Sequence, residues 1–258
     1  MSENYNIFKV LNFKEKETIH SAMIAAIASH DPQSRDEFFK MLKKKNVISG
    51  ENPNKDLDKT FGTEIDSLTH PGSIDFNSNE KGHWIKNEVQ LWESVKRNGG
   101  NVSVNRGRAD IWIGTNNGNN DSEQYRLIIE NKINAGNQDH QLRRYYRYLT
   151  ETSEKKNRRV FAGLFFLCPV SNDHFKQQAH ESAKKYKNES KLNDKERPAT
   201  EYAIITYKDD ILPWLEKVWE TDNDDFRKVV NDYYELVVEL VKGWERYWKP
   251  QKNSLINV

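Results

Sequence analysis

Two short segments, Gly107-Arg108-Ala109-Asp110-Ile111-Trp112-Ile113 and Leu127-Ile128-Ile129-Glu130-Asn131-Lys132-Ile133, constrain this chain more than anything else in it. Both are rich in β-branched residues and bounded by Gly and Asn turn signals, so each reads as a strand, with the polar run from Gly114 to Asn120 opening the connection of a hairpin. Side chains alternate faces along a strand. Glu130 and Lys132 therefore share a face, and Asp110 can meet them there from the neighbouring strand. Two acids and one amine in an apolar hairpin need an explanation, because burying an unpartnered ion costs on the order of several kcal/mol. A bound divalent cation is one: Mg²⁺ takes oxygen ligands from one or two carboxylates, substrate phosphates and water, and an adjacent Lys can hold the attacking water. The plainer alternative is a cross-strand salt bridge at a sheet edge, which a Glu-x-Lys tripeptide by itself would favour.

The remainder of the chain sets limits on that reading. With 31% charged residues against 36% hydrophobic, the 258-residue chain must have a compact core and a heavily charged surface. Its net charge is only +1, so no global positive field draws it to nucleic acid, and any contact with phosphates requires local clusters of Lys and Arg. The single Cys168 lies in the apolar run Phe165-Phe166-Leu167-Cys168, which excludes a disulfide framework or a Cys-based zinc site and makes it a small core residue. No basic leader precedes a long apolar run and no segment reaches membrane-span length, so a cytoplasmic protein without a membrane partner is expected.

Taken in order, Lys14 to Ser29 carries Ile19, Met23, Ile24, Ile27 and Ala28 at helical spacing. Glu17 stands near its start, and His20 on its apolar side reads as a satisfied core residue. A second helix is predicted from Ser34, as N-cap, to Lys45. Asn46 to Gly82 reads as a long irregular polar insertion with one helical turn near Thr63 to Leu68. His83 to Trp92 alternates as a strand, placing Glu88 on the face opposite Ile85 and Val89. Arg106 and Arg108 flank the entry to the Asp110 strand and are candidate phosphate contacts. Gln138 to Thr150 is a predicted helix on which Gln141 and Tyr145 share a face; Arg143 and Arg144, interleaved with tyrosines, suit a nucleic-acid backbone, and Tyr146 suits the core. Arg159 to Leu167 is a buried central strand, followed by a helix (Asp173 to Tyr186), a strand (Glu201 to Tyr207), a helix from Asp209 to Glu220, and a last helix from Asp224 whose stripe includes Val229, Val230, Tyr233, Leu236 and Leu240. The order helix, three strands, helix, strand predicts an α/β fold with a mixed central sheet flanked by helices, extended at its C-terminal end by a further strand and helices.

Asp110, Glu130-Asn131-Lys132 and Gln141-Leu142-Arg143-Arg144-Tyr145 resemble the PD-(D/E)XK nuclease superfamily, in particular its RecB-like branch with a Gln-x-x-x-Tyr helix. The likeness is specific over about residues 107 to 149, with Ala109 where the superfamily name has Pro. It implies a restriction-endonuclease-like αβββαβ core and a metal-dependent nuclease cutting phosphodiester bonds, with DNA as the expected partner. It further implies that Asp110, Glu130 and the Asn131 carbonyl bind Mg²⁺ or Mn²⁺, and that a Glu on the first helix, here Glu17, supplies another ligand; Glu88 is the rival for that position. Lys132 would position the water, and Gln141 and Tyr145 would approach the metal site and the scissile phosphate. The expected organisation is one domain over 1–258, with a core at about 14–168, and a homo-oligomer is left open. Competing readings are a silent binding scaffold on a nuclease fold and an RNA-cleaving defence effector.

Overall fold

The computed structural model describes residues 6, 13, 16–50, 52–60, 83–97, 100–115, 125–134, 140–154, 161–184, 200–220 and 224–254. Helices α1 (Glu17–His30) and α2 (Pro32–Lys43) lead into strands β1 (Asn46–Ser49), β2 (Asn52–Thr60), β3 (His83–Arg97), β4 (Gly100–Thr115) and β5 (Tyr125–Asn131). Helix α3 (Gln141–Glu154), β6 (Phe161–Cys168), α4 (Asp173–Ala183), β7 (Glu201–Thr206), α5 (Leu212–Trp219) and α6 (Asp224–Ser254) complete the chain. Within this order, α1, β3, β4, β5, α3 and β6 form the expected αβββαβ succession.

The strands form one seven-stranded mixed sheet in the order β2-β1-β7-β6-β5-β4-β3. Pairing is antiparallel from β3 to β5 and parallel from β5 through β6 to β7. This puts β5, the strand that ends in Glu130-Asn131, between an antiparallel and a parallel neighbour. A strand covered on both faces requires an unbroken apolar run, and Leu127, Ile128, Ile129, Leu164, Phe165, Phe166 and Leu167 are all buried.

Side-chain alternation assigns helices to both faces. The Asn131 side chain reaches α1, where its Nδ2 donates to the Glu17 carbonyl and to Ser21 Oγ, each at 3.1 Å. Trp112, in register with Ile128, turns the other way and meets the Tyr148 ring of α3 at 5.7 Å. Helix α6 seals the α1 side: the His20 ring nitrogen Nδ1 lies 3.1 Å from the Tyr233 hydroxyl, and both residues are buried. His20 is thus a satisfied core residue, as its place on an apolar helix suggests.

Several sequence expectations shift. Asp31, not Ser34, caps α2: its carboxylate accepts from Ser34 N at 2.7 Å, and Pro32 occupies the first turn, where a missing N–H is no loss. Part of the run expected to be irregular, Asn46–Ser49 and Asn52–Thr60, pairs as an edge hairpin whose β1 joins β7. Its polar composition suits an edge strand, which is why alternation did not reveal it. The turn expected near Thr63 to Leu68 lies outside the described residues. The helix expected from Asp209 instead begins as a wide π turn over Tyr207–Ile211, with Pro213 at the start of α5. Val229, expected on the buried stripe of α6, is 44% exposed, while Val230, Tyr233, Leu236, Val237 and Leu240 are buried.

Candidate active site

The β4–β5 register brings Asp110 and Glu130 together. Ile111 pairs with Ile129, which sets Asp110 level with Glu130 on the face that Trp112 and Ile128 share. Where the ladder ends, Asp110 Oδ2 takes over as acceptor from Asn131 N at 2.7 Å. Lys132 follows at the strand end, its N–H donating to the Leu167 carbonyl at 2.8 Å, and its Nζ lies 2.6 Å from Glu130 Oε1. Glu130 and Lys132 are both buried. The second Glu130 oxygen, Oε2, is buried and receives no well-formed hydrogen bond among the described residues.

Glu17 and Glu88 approach from two sides. Glu17 Oε1 accepts from Ile133 N at 2.8 Å and Asn134 N at 3.3 Å, so the first turn of α1 grips the backbone just after Lys132; Oε2 stands 3.9 Å from Lys132 Nζ. Glu88 arrives from β3. Asn87 pairs with Ile111 and Val89 with Ala109, which puts Glu88 level with Asp110 on the opposite edge from Glu130. Its φ of 56° is unusual for a strand residue with a side chain, a conformation that persists only where the surroundings impose it. Glu88 Oε2 is 2.6 Å from Arg108 Nε, while Oε1 is buried without a hydrogen-bond partner among the described residues.

Helix α3 supplies the far wall. Gln141 Nε2 donates to the Tyr145 hydroxyl at 2.7 Å, and that hydroxyl donates to the Arg108 carbonyl at 2.6 Å. Gln141 Oε1 is buried without a partner among the described residues. The Tyr145 ring can lie this close to β4 because residue 107 is glycine: its φ is 118°, and a Cβ there would sit 3.2 Å from Tyr145 Cε1. Arg144 and Arg108 are exposed, whereas Arg143, expected to meet phosphate, is buried, as the apolar stripe of α3 turns it inward. Arg106 is the extra residue where the β3–β4 register shifts between Leu91 and Trp92; its side chain lies outside the described set, as does Gln138. Tyr146 is partly buried against the core.

Burial and mutual repulsion leave a clear electrostatic mark. Burial, joined by the charges of Glu17 and Glu88, outweighs the Asn131 hydrogen bond and the Lys132 charge, and the Asp110 carboxyl is pushed up to about 6. Glu130 is pushed up to about 8, first by burial and then by Asp110. Burial pulls Lys132 down, but the attraction of Glu130 prevails and leaves its ammonium more firmly protonated than usual. Burial also raises the Tyr145 phenol, which therefore acts only as a neutral hydrogen-bonding group. The donor set fits a hard divalent cation: all-oxygen groups, two of them with a buried carboxylate oxygen that receives no well-formed hydrogen bond among the described residues, and acids whose ionised forms a +2 charge would favour. Among the described residues no three acidic, His or Cys groups already stand close enough to enclose an ion.

Some structural partners were invisible in sequence. Tyr207, whose hydroxyl donates to Asn131 Oδ1 at 3.0 Å, and Ser21 hold the middle residue of the Glu-x-Lys tripeptide from 76 and 110 positions away. No local pattern marks either contact.

Comparison with known proteins returned no match among curated proteins and none among solved structures. A family model described as the PD-(D/E)XK nuclease superfamily matches residues 5–235, and thus spans every strand of the sheet and both walls of the site. With a match over that length, this chain belongs to the PD-(D/E)XK nuclease superfamily.

Proposed function

We propose that the protein is a divalent-metal-dependent nuclease that hydrolyses phosphodiester bonds in DNA, and that residues 1–258 act as one nuclease domain of the RecB-like branch. The observation that carries this reading is the opposition of Asp110 and Glu130 on adjacent strands, with Lys132 Nζ 2.6 Å from one Glu130 oxygen and the other oxygen buried without a well-formed hydrogen bond among the described residues. Superfamily members generally use divalent metals such as Mg²⁺ or Mn²⁺. Asp110, Glu130 and the Asn131 carbonyl would hold the ion, with Glu17 or Glu88 as the further acidic group. When bound, such an ion neutralises charge growing on phosphorus and makes hydroxide available near neutral pH.

The chain's own residues supply the rest. The Lys132 ammonium, held protonated, orients the attacking water and offsets negative charge at the phosphate. The turn that carries Lys132 is fixed by Glu17 Oε1, so the ammonium is presented on a rigid backbone. Gln141, whose buried carbonyl oxygen has no partner among the described residues, steadies the water or the phosphate, and Tyr145 locks Gln141 to the Arg108 backbone. That Gln-x-x-x-Tyr linkage supports placement in the RecB-like branch.

The decisive experiment incubates purified protein with single-stranded, duplex and branched DNA and with RNA, with and without Mg²⁺ or Mn²⁺. Metal-dependent products from DNA, lost in Asp110→Asn and Lys132→Ala, support the reading; products from RNA alone would move the substrate to an RNA-cleaving effector. One observation favours a silent scaffold instead: Glu130 Oε1 already has a partner in the Lys132 ammonium, 2.6 Å away, without any ion. Metal-independent nucleic-acid binding without products under every condition would establish that alternative.

A further inference from the structure

We infer that Arg108 is the phosphate-receiving group at the rim of the site, and that Glu88 is a positioning residue that aims it. The inference rests on the nuclease reading above and names how that site takes hold of its substrate. Arg108 lies two residues before Asp110, on the same face of β4. Both ends of it are fixed. Its carbonyl accepts from the Tyr145 hydroxyl at 2.6 Å, and its Nε meets Glu88 Oε2 at 2.6 Å, yet the side chain stays 53% exposed. A guanidinium gripped through Nε keeps its two Nη groups for a ligand outside, and paired N–H donors on a planar fork match two oxygens of a phosphate.

Glu88 is held in a way that a casual surface ion pair does not require. Its backbone adopts φ 56° inside a strand, and its side chain is half-buried beside the Asp110 level of the sheet. A left-handed, side-chain-bearing residue in a strand is strained, and such strain concentrates where geometry serves function. The strained residue here directs one oxygen at the only nitrogen of Arg108 whose capture leaves the outward fork intact.

Orientation and charge make opposite predictions for Glu88→Ala. Removing an acid from a nucleic-acid-binding face should tighten binding on charge alone. Loss of aim should weaken it. The test measures anisotropy of a short fluorescein-labelled DNA duplex in EDTA, so that nothing is cut, for wild type, Glu88→Ala, Glu88→Gln, Arg108→Ala, Arg108→Lys and the Glu88→Ala/Arg108→Ala double variant, with a thermal melt of each. Arg108→Ala should weaken binding about ten- to hundredfold and lower the salt slope by roughly one. Arg108→Lys should not restore it, since a lysine has no fork. Glu88→Ala should weaken binding several-fold, Glu88→Gln less so because its amide oxygen can still accept from Nε, and the double variant should bind no worse than Arg108→Ala alone.

Tighter binding by Glu88→Ala, or additive losses in the double variant, overturns the inference while leaving the nuclease reading intact. So does a Glu88→Ala protein that binds duplex normally but has lost affinity for Mn²⁺, since Glu88 then serves the ion. A wild-type protein that binds no nucleic acid and cuts none removes both.

Discussion

Asp110 and Glu130 are acids whose folded state favours the proton, and that sets a pH dependence with a definite sign. Their carboxyls are pushed up to about 6 and about 8 by burial, and in Glu130 also by Asp110. A group raised in this way binds more protons folded than unfolded between the two pKa values. Its contribution to stability is present below the unfolded carboxylate range and is lost as pH rises through about 6 to 8. The metal-free protein should therefore melt at a lower temperature at pH 8 than at pH 5, by an amount corresponding to a few kcal/mol. Glu130→Gln should flatten that dependence, and Mg²⁺ should raise Tm more at pH 8 than at pH 5. Calorimetry across this range checks all three; a Tm that rises steadily from pH 5 to 8 in the metal-free protein would contradict them. These residues were also the most legible part of the chain, because two strands of β-branched residues, each with charge on one face, admit few arrangements. What the two segments did not disclose was the second tier, the Glu17 grip on Ile133 N and the Tyr207 contact to Asn131, which join distant segments.

At the scale of elements, the site depends on how closely α3 lies on β4. Tyr145 reaches Arg108 only because Gly107 is flat on that side and adopts φ 118°. Gly107→Ala should destabilise the protein by about 1–3 kcal/mol, visible as a fall in Tm. It should also impair cleavage, because the ring must shift and take Gln141 with it. Tyr145→Phe keeps the ring and removes only the hydroxyl that links Gln141 to the Arg108 carbonyl, so it should cost about 1–3 kcal/mol and lower kcat more than KM. Equal stability and activity in both variants would show that the α3 wall plays no part. Elements with strong periodicity were legible to within a few residues: α1, β6 and β7 lie close to their expected limits, and α6 begins at Asp224 as expected. The β1–β2 hairpin was not, because the sequence from Asn46 to Thr60 is polar and carries no alternating apolar signal. The burial of Arg143 was not legible for a related reason. Spacing along α3 identifies which residues share a face, but only packing against the sheet decides which face is inward.

At the scale of the whole molecule, a net charge of +1 means that attraction to nucleic acid must come from a few local cations rather than from the summed field. Duplex binding should weaken with added NaCl along a shallow line, with a slope of about −2 to −4 on a log–log plot, set by contacts such as Arg108 and Arg144. A slope near −10 would imply an extensive basic surface that the chain's balance of 40 basic and 39 acidic residues does not lead one to expect. The mixed sheet explains how so balanced a surface can still carry a charged centre. Its central strand is covered on both sides, so the acids are shielded from water by apolar neighbours.

The residue between Glu130 and Lys132 points away from both. Asn131 lends its N–H to Asp110, but its amide group is committed to the Glu17 carbonyl, Ser21 and Tyr207 beneath the opposite layer. The tripeptide at the heart of the candidate site is thus a rivet driven through the sheet: its outer members face the proposed chemistry, and its shank is clenched on the far side. Damage to that anchorage, even by a change buried deep in α1 or after β7, would loosen Glu130 and Lys132 without altering either of them.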